Sequence, residues 1–334
     1  MGSPVTPDKD DAALALWTIG AGRAEIRPAS APAPGVSELR LRALVSGISR
    51  GTESLVFAGL VPESEWARMR CPFQEGDFPF PVKYGYSMVA LAEDGPAELR
   101  GQRVFCLHPH QTRMTLPAGV VIPIPADVPA ERAALAAQME TALNALWDAA
   151  PRLGDRIAVV GAGSIGCLTA FLAAGIKAAE VTLIDRDESR HAVAAALGVG
   201  FAAPGGDLPR DCDLVFHASG DGAGLDLALS LAGFEANVIE LSWYGTKPVQ
   251  LGLGGAFHSQ RLTLRASQVG AVATDRRARW DHRRRLTLAL GLCADPRLDI
   301  LLRAETPFAD LPAALPGILG RPGALFHLVR YPQT

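Results

Sequence analysis

Cysteine is scarce and scattered in this sequence. The 334 residues contain five cysteines, and no two of them form a CxxC pair. Zinc ribbons and disulfide frameworks need cysteines at close, regular spacing, so neither class of structure is indicated. Isolated thiols are typical of proteins from a reducing compartment. The five positions are Cys71, Cys106, Cys167, Cys212 and Cys293.

The sequence also has little net charge and no long apolar run. Lys and Arg number 32 and Asp and Glu 35, which gives a formal net charge of -3, so no nucleic-acid surface is indicated. No apolar stretch approaches the roughly 20 residues that span a bilayer. The polar, acidic start MGSPVTPDKDD lacks the features of a signal peptide. We therefore expect a cytoplasmic protein that binds neither nucleic acid nor membrane.

One basic run, DRRARWDHRRR at 275–285, departs from this balance. Asp275 and Asp281 interrupt it and the apolar LTLALGL follows, which favours the solvated start of a helix. A phosphate-binding patch is the alternative interpretation.

The pattern of the sequence changes along the chain. Residues 1–135 contain short strands and many turns, for example LRLRALVSGIS, and predict a barrel-like β-rich unit. Between 136 and 270, apolar strands such as DRIAVVGAG alternate with helices such as SIGCLTAFLAAG, which indicates a doubly wound parallel sheet. One helix is predicted where these parts meet, at 129–150. Residues 271–334 become helical and end in the strand-like GALFHLVRY. The sequence therefore predicts an α/β protein of two domains.

The segment GAGSIG has the G-x-G-x-x-G spacing directly between a strand and a helix. In a dinucleotide-binding loop, Gly161 permits the tight turn, Gly163 lets the backbone approach a pyrophosphate and Gly166 lets the helix pack against the strand. Ser164 and Ile165 lie at the helix N-terminus, whose free N–H groups favour an anion. The alternative is that the glycines only shape a turn between strand and helix.

The next strand, EVTLIDRD, ends at Asp185. A carboxylate there would accept hydrogen bonds from an adenosine ribose and would repel a 2′-phosphate, so NAD is favoured over NADP. Arg186 beside it could hold that phosphate, which keeps NADP as the less favoured cofactor.

These segments resemble the medium-chain dehydrogenase/reductase superfamily, the alcohol-dehydrogenase-like enzymes, over nearly the whole chain. The β-rich front, METALNALWDAA, VVGAGSIG and the terminal strand occur in the order of that family. The resemblance implies a GroES-like β-barrel catalytic domain, formed by 1–135 and 271–334, around a central Rossmann domain at 136–270. It also implies a homodimer formed through the edge strands of two Rossmann sheets, with PVQLGLGGAFHSQRL as the candidate region.

The zinc ligands of that family are replaced in this chain. Zinc-dependent members carry Gly-Ile-Cys where this chain has SGIS, so Ser49 replaces the ligand cysteine. They carry Gly-His-Glu where this chain has YGYS, so Tyr86 and Ser87 replace the histidine and the glutamate, and the third ligand position matches Ala137 or a near neighbour. The four-cysteine structural lobe is missing as well. We therefore predict a protein without zinc, locally similar to a zinc-free branch that includes the hydroxyethyl-chlorophyllide dehydrogenases.

Without zinc, protein hydrogen-bond donors have to act on the substrate oxygen. Family correspondence puts Ser49, Thr52, Glu53 and Tyr86 around the metal position and His108 in the lining of the substrate pocket. Tyr86 and His108 are the leading acid/base candidates, because a tyrosine hydroxyl can donate to an oxyanion and histidine titrates near neutrality.

Three of these residues have a structural alternative. His108 could be a strand-end histidine bonded to the backbone, and Tyr86 could be an aromatic side chain that fills the metal cavity. Glu53 either orients Arg50 or is a solvated turn residue.

Family correspondence also assigns cofactor contacts outside the glycine loop. Arg50 matches a residue that contacts the pyrophosphate, Thr141 one on the nicotinamide side, and Arg190 a basic residue near the adenosine ribose. His217 and His258, which lie near strand ends, are interpreted as structural. Other candidate contacts end strands at the carboxyl edge of the sheet, where ligands of open α/β folds bind. They are Ser219, Leu241, Ser242 and Gln268, with Ser267 beside the last.

The sequence thus indicates a zinc-independent NAD(H) oxidoreductase that interconverts a secondary alcohol and a ketone as its small-molecule substrates. The segment 57–81 is long for a barrel connection, and it predicts a roomy substrate mouth with Trp66 and Phe73 as walls. An NADPH-dependent quinone or enone reductase and a non-catalytic dinucleotide-binding protein are the alternatives.

Overall fold

The chain divides into two compact units. A computed structural model of the protein describes residues 11–320 and 325–333. The first unit, called the split unit, contains the described residues of Met1–Ala137 and Leu302–Thr334, and the second, the central unit, is Gln138–Leu301. The first boundary lies close to the expected one at residue 135, whereas the second lies at Leu301 instead of residue 270.

The second boundary differs because residues 271–301 pack within the central unit. The Arg285 side chain is 1% exposed, and its guanidinium donates to Glu140 Oε1 at 2.9 Å, to Asn144 Oδ1 at 2.5 Å and to the Val269 carbonyl. Glu140 and Arg285 are 145 positions apart. The pattern of residues 271–301 predicted a helix, but a partner at that distance could not be identified from it.

Short strands make up most of the first part of the split unit. In β3 (Glu38–Ile48) buried and half-buried positions alternate, and the last four residues are all buried, as the apolar pattern predicted. The other elements of this part are β1 (Ala12–Gly20), β2 (Arg23–Ser30), α1 (Arg50–Ala58), β4 (Glu75–Gly76), β5 (Val82–Lys83), β6 (Met88–Asp94), β7 (Arg103–Cys106), β8 (Arg113–Pro117), β9 (Ile122–Pro123) and α2 (Ala130–Ala133).

The single helix predicted at 129–150 is two helices in the structure. The first, α2, ends at Ala133, and the second, α3, spans Ala136–Ala149. In the gap, the Ala134 carbonyl accepts a hydrogen bond from the Ser87 hydroxyl. This side-chain contact occupies a carbonyl that a continuous helix would bond to its own backbone.

A parallel sheet forms the core of the central unit. Its elements after α3 are β10 (Arg156–Val160), α4 (Ser164–Ala173), β11 (Glu180–Ile184), α5 (Arg190–Leu197), β12 (Gly200–Ala202), β13 (Cys212–His217), α6 (Gly222–Leu231), β14 (Ala232–Glu240), α7 (Ala256–Ser259), β15 (Thr263–Ala266) and α8 (His282–Leu292). The strand order is β12-β11-β10-β13-β14-β15, and every neighbouring pair is parallel. Numbered from β10, this is the 3-2-1-4-5-6 order of the Rossmann fold, which confirms the predicted doubly wound sheet.

The basic run at 275–285 leads into α8, as the sequence predicted. Asp281 caps the helix, since its Oδ1 accepts the Arg284 N–H at 2.7 Å. The Arg284 guanidinium lies 3.9 Å from the ring centroid of Trp280, a distance at which cation–π attraction operates. Arg285 is the one fully buried residue of this run, and Trp280 is half-buried.

The chain end returns to the split unit as β16 (Ala304–Pro307), α9 (Leu311–Gly320) and β17 (His327–Arg330). β17 pairs antiparallel with β3, with His327 opposite Ile48. Among the described residues, the sheets of this unit have the orders β2-β1-β5-β4 and β16-β17-β3-β6-β7-β9, with β8 also paired to β3. Both ends of the chain therefore build one β-rich unit, as the resemblance implied. None of the described helices combines the length and hydropathy needed to cross a membrane.

Candidate functional site

Ser49 and Tyr86 lie side by side in the split unit, at the end of one strand and just before the start of the strand paired with it. Ser49 follows β3 as the N-cap of α1, and Tyr86 precedes β6, which pairs with β3. The Tyr86 hydroxyl donates to Ser49 Oγ at 2.6 Å, and the Thr52 hydroxyl is also hydrogen-bonded to Tyr86. These contacts bring together three of the five predicted catalytic residues, and Glu53, which is bonded to the Ser49 N–H, is the fourth.

Tyr86 is a neutral hydrogen-bond donor in this environment. Desolvation raises the pKa of Tyr86 to about 12, although its hydrogen bonds with Ser49 and Thr52 oppose the rise. The phenol therefore keeps its proton at neutral pH and can donate it to an oxygen atom. The ring also packs edge-on against Tyr84, with centroids 6.0 Å apart.

Glu53 supports the Ser49 backbone from inside the unit. Its side chain is buried, Oε1 accepts the Ser49 N–H at 2.7 Å, and Oε2 lies 3.2 Å from His110 Nε2. The interpretation of Glu53 as a solvated turn residue is therefore wrong. It is a buried carboxylate that fixes the N-terminus of α1.

His110 is a polar residue of this region that the sequence analysis missed. Its Nδ1 lies 2.7 Å from Ser46 Oγ, which in turn lies 2.9 Å from the Tyr331 hydroxyl. A Cβ atom on Gly85, at φ +127°, would come within 3.0 Å of the His110 ring, so glycine is required next to Tyr86. We call the seven hydrogen-bonded residues of this region the polar cluster: Ser46, Ser49, Thr52, Glu53, Tyr86, His110 and Tyr331.

His108 lies beside the polar cluster in sequence but has a different environment. Its Nδ1 is 2.8 Å from the Pro109 carbonyl, so this nitrogen carries the proton and donates. Burial lowers the pKa of His108 to about 3, and the ring is neutral at physiological pH. The expectation that His108 titrates near neutrality is therefore wrong, because desolvation penalises the imidazolium. His108 instead matches the alternative interpretation, a strand-end histidine that is hydrogen-bonded to the backbone.

The segment 57–81 places one of its two predicted wall residues next to His108. The Phe73 and His108 rings have centroids 5.5 Å apart, and Phe73 is 37% exposed. The Trp66 indole N–H donates to the Val61 carbonyl at 3.0 Å, so Trp66 is tied to its own segment. Of the two predicted wall residues, Phe73 is thus the one that contacts His108.

The donor set at the family's zinc position is unlike a zinc site. Ser49 and Tyr86 are the residues that the resemblance assigns to two of the ligand positions, and their hydroxyls bond to each other, whereas zinc prefers thiolate, imidazole and carboxylate ligands. Within residues 11–320 and 325–333, no group of three or more His, Cys, Asp or Glu is arranged to hold a metal ion. Zinc independence stays a prediction.

The glycine loop of the central unit has the geometry of a dinucleotide-binding turn. Gly161 has φ +106°, and a Cβ on it would lie 2.6 Å from the Ser219 nitrogen. A Cβ on Gly166 would lie 1.8 Å from the Gly161 carbonyl oxygen, whereas one on Gly163 would meet nothing within 4 Å. Two glycines are therefore needed for packing, and the third leaves open space before the N-terminus of α4, where Ser164 begins the helix. This cradle fits a bound pyrophosphate.

Asp185 follows β11 and is fixed against the glycine loop. Its Oδ2 accepts the Ala162 N–H at 2.7 Å and its Oδ1 accepts the Asp187 N–H at 2.9 Å. The Arg186 side chain is 83% exposed and lies 4.0 Å from an Asp221 oxygen. The carboxylate is therefore held in place, whereas the neighbouring guanidinium extends into solvent.

The remaining predicted cofactor residues occupy separate positions within their own units. Gln268 Oε1 accepts the Gly270 N–H at 2.6 Å, and the Ser267 hydroxyl donates to Asp148 at 2.7 Å. Arg190 Nε lies 3.3 Å from Asp187. Thr141 is half-buried on α3, Arg50 begins α1, and the Leu241 N–H bonds to the His217 carbonyl at 2.9 Å.

Ser219 and Ser242 belong to a hydrogen-bond network that the sequence did not reveal. Ser219 Oγ lies 2.6 Å from His217 Nε2, and His217 Nδ1 lies 2.8 Å from a Glu240 oxygen. The Ser242 N–H donates to Glu240 Oε1 at 2.6 Å. His217 and Glu240 are the last residues of β13 and β14, which are neighbouring parallel strands. The signal available in the sequence was that both residues lie at the ends of predicted strands.

Two curated proteins are similar to parts of this chain. D-xylulose reductase of Saccharomyces cerevisiae is 32% identical over 139 residues, which are 40% of this chain and 39% of that protein. The 2-dehydro-3-deoxy-L-galactonate 5-dehydrogenase of Pseudoalteromonas atlantica is 25% identical over 231 residues, 66% of this chain and 64% of that protein. The matches thus span less than two thirds of either relative. No family model matches the chain.

The fold is shared with solved structures over nearly the whole chain. The L-idonate 5-dehydrogenase of Escherichia coli superposes with a TM-score of 0.78 at 15% identity, covering 96% of this chain and 98% of that one. Fold and glycine loop together define a two-unit protein with a GroES-like unit and a Rossmann unit. The chain therefore shares the fold of that dehydrogenase and is similar in sequence, over part of its length, to a reductase and a dehydrogenase.

Proposed function

We propose that this protein is an NAD(H)-dependent oxidoreductase that interconverts a secondary alcohol and a ketone without zinc. The observation that carries the proposal is the 2.6 Å hydrogen bond between the Tyr86 and Ser49 hydroxyls, at positions where zinc-dependent relatives hold their metal. Both sequence relatives are named for oxidation or reduction of sugar-derived compounds, which supports the alcohol–ketone pair. Because neither relative is matched over two thirds of its length, the activity of the whole protein is part of this proposal.

The central unit supplies the cofactor site in this proposal. The Gly163 backbone and the N-terminal amides of α4 would receive the pyrophosphate, and Asp185 would accept hydrogen bonds from the adenosine ribose. NAD supplies hydride transfer when bound. The fixed Asp185 carboxylate favours NAD over NADP because a 2′-phosphate beside it would be repelled.

The split unit supplies the proton. In ketone reduction, the Tyr86 hydroxyl turns its proton from Ser49 Oγ to the substrate carbonyl oxygen and transfers it as negative charge develops there. The Ser49 and Thr52 hydroxyls then donate to the phenolate oxygen, since these hydrogen bonds lower the pKa of Tyr86 from the value that desolvation alone would give. In alcohol oxidation the same atoms act in reverse, with the phenolate as base.

The pocket wall next to this hydroxyl pair is assigned to Phe73 and His108. The Phe73 ring, which packs against the buried His108 ring and is 37% exposed, offers an apolar surface, which suits a ketone whose substituents are hydrophobic. The substrate class proposed is therefore a secondary alcohol with an apolar portion.

The experiment is a cofactor and substrate panel on the purified, metal-analysed protein. NADH and NADPH binding are measured by titration, and turnover is measured with secondary alcohols, ketones, quinones and enones. We expect NADH-dependent turnover of ketones by protein that holds less than one zinc per chain and that keeps its activity in a chelator. Turnover of quinones with NADPH alone, binding without turnover, or activity that is lost with zinc would each contradict the proposal.

A further inference from the structure

His217 is a fully buried histidine with both ring nitrogens engaged. Nδ1 lies 2.8 and 2.9 Å from the two Glu240 oxygens, and Nε2 lies 2.6 Å from Ser219 Oγ. The side chain has no exposed surface. A histidine in this setting connects its two neighbours directly, because solvent does not compete for its nitrogens.

Glu240 fixes the direction of these hydrogen bonds. Burial raises the pKa of Glu240, but the hydrogen bond and charge of His217 and the hydrogen bonds from Ser242 outweigh it, so that the net pKa is lowered. The ionised carboxylate can only accept, so His217 Nδ1 carries a proton. The other ring nitrogen, Nε2, is hydrogen-bonded to the Ser219 hydroxyl. The Tyr244 hydroxyl also donates a hydrogen bond to Glu240 Oε2, at 2.9 Å.

The network joins two loops that leave the carboxyl edge of the sheet. Ser219 lies between β13 and α6, and its Oγ accepts the Asp221 N–H at 3.2 Å. Ser242 follows β14, and its Oγ accepts the Gly220 N–H at 3.0 Å. Each loop is therefore tied to the other, and both are tied to His217 and Glu240.

The glycine loop rests on one of these two loops. A Cβ on Gly161 would lie within 2.6–2.8 Å of the backbone atoms of Ser219 and Ala218, so the two backbones are in contact. A shift of the Ser219 loop would move the support of the turn that receives the pyrophosphate.

We propose that His217, together with Glu240, is a positioning residue that fixes the Ser219 and Ser242 loops for binding of the dinucleotide. This inference rests on the proposed function, because it assigns the dinucleotide to the carboxyl edge of the same sheet. His217 does not touch the cofactor. It acts through Ser219 and Ser242, which hold the loop backbones at the distance that the glycine turn requires.

The same three residues have the connectivity of a serine nucleophile, a histidine base and an acid, but their surroundings disfavour that chemistry. The backbone N–H after the serine, which commonly stabilises an oxyanion, is bonded to Ser242 Oγ in this protein. A Cβ on Gly224 would lie 2.3 Å from Ser219 Oγ, so the start of α6 covers one side of the hydroxyl. The network is organised to hold loops in place.

The test compares variants of the network with a buried variant of the same strand. His217→Gln and Ser219→Ala remove the link between the loops, whereas Ser219→Thr keeps the hydroxyl. Leu214→Ala is the matched control, because Leu214 is buried in β13 away from its carboxyl end. For each protein, the NADH dissociation constant, the melting temperature and the hydrogen-exchange rates of the Asp221 and Ser242 amides are measured.

We expect His217→Gln and Ser219→Ala to weaken NADH binding about tenfold or more, because binding would then have to order loops that the wild-type network already holds in place. The Asp221 and Ser242 amides should exchange faster in these variants. Ser219→Thr should restore both properties, and Leu214→Ala should lower the melting temperature while NADH binding stays unchanged.

Three outcomes would overturn the inference. The first is unchanged NADH affinity in His217→Gln and Ser219→Ala. The second is an equal loss of affinity in Leu214→Ala, because the effect would then follow stability alone. The third is covalent labelling of Ser219 in the wild-type protein by a fluorophosphonate probe, since that would indicate a nucleophile. Failure of the proposed function would look different, since the wild-type protein itself would not bind NADH or would bind it without turnover.

Discussion

The glycine loop of the central unit is one continuous segment, 161–166, whereas the polar cluster of the split unit is assembled from four. The cluster takes its residues from the end of β3 and the start of α1, the approach to β6, the segment after β7 and the residue after β17. In the loop, the proposed cofactor binding depends on the absence of side chains. In the cluster, the proposed proton transfer depends on hydroxyl, imidazole and carboxylate groups that must meet at hydrogen-bond distance.

This difference determines how each region should respond to substitution. The loop is governed by short steric distances to its own backbone and to one neighbouring loop, so an added methyl group is harmful or harmless according to position. The cluster is governed by hydrogen bonds between distant segments, so removal of a single oxygen atom should alter chemistry while the fold persists. Substitutions in the two regions can therefore test the division of roles between them.

The largest effect is expected from Tyr86→Phe in the polar cluster. Loss of the hydroxyl removes the donor to the substrate oxygen, and kcat for ketone reduction should fall about 10²–10³-fold, as loss of an oxyanion donor does. Steady-state kinetics with NADH and a ketone would measure it. The affinity for NADH should stay within about twofold, because the cofactor cradle lies in the central unit.

Tyr84→Phe is the matched control for that substitution. Tyr84 is a buried tyrosine that packs against Tyr86, and its hydroxyl reaches only as far as the Met69 carbonyl, at 3.3 Å. Its variant should retain kcat within a few-fold. An equal loss in both variants would assign the effect to packing and would remove Tyr86 from the mechanism.

A smaller effect on stability is expected in the glycine loop, and it should depend on which glycine is changed. A Cβ on Gly166 would overlap the Gly161 carbonyl oxygen at 1.8 Å, so Gly166→Ala should cost about 1–3 kcal/mol of unfolding free energy, as overpacking does. Gly163→Ala should leave stability nearly unchanged and weaken NADH binding, because its methyl group enters the open space before α4. Denaturant unfolding and NADH titration of both variants measure this. Equal unfolding free energies for Gly166→Ala and Gly163→Ala would contradict this expectation, because the loop would then relax around the added methyl group.

The contrast between continuous and assembled regions also explains what the sequence could predict. The predicted roles of Gly161, Gly163 and Gly166 follow from spacing and from the strand and helix around them, and the short distances at Gly161 and Gly166 agree with the tight turn and the close packing predicted for them. The partners of Glu53 and His217 could not be predicted, because they depend on which distant segment packs beside them. The Glu53–His110 contact joins positions 57 apart.

The residue pattern also did not show how deeply individual polar side chains are buried. His108 was expected to titrate near neutrality because histidine does so in water, yet its environment lowers the pKa to about 3. The boundary at Leu301 has the same origin, since the buried Arg285 joins residues 271–301 to α3. In both cases a residue type was evident and its environment was not.

Acid sensitivity should distinguish the two units. The folded-state pKa of His108 is depressed from about 6.5 to about 3, so below pH 6.5 the unfolded state binds the proton that the folded state excludes. The unfolding free energy should then fall by up to about 1.4 kcal/mol per pH unit as pH decreases from 6.5 towards 3. For Glu240 in the central unit the pKa is also lowered, and its contribution should be lost only below the usual carboxylate range.

Unfolding of the wild-type protein and of His108→Leu, measured between pH 7 and 4, tests this expectation. The leucine variant has no titrating ring at this position, so its unfolding free energy should depend less steeply on pH. Parallel curves for the two proteins would mean that another group causes the acid sensitivity.

The smallest effect is expected for cofactor preference at the end of β11. Asp185→Asn keeps an oxygen that can accept the Ala162 N–H or the Asp187 N–H, but it removes the negative charge that would repel a 2′-phosphate. Because Arg186 is highly exposed, salt and solvent weaken its attraction for that phosphate. The ratio of NADPH to NADH affinity should therefore rise only about three- to tenfold.

Asp213→Asn is the control for net charge. It removes a carboxylate that is bonded to the Arg156 N–H near the amino ends of β10 and β13. A ratio unchanged in Asp185→Asn, or raised equally in both variants, would mean that the strand-end carboxylate does not select the cofactor.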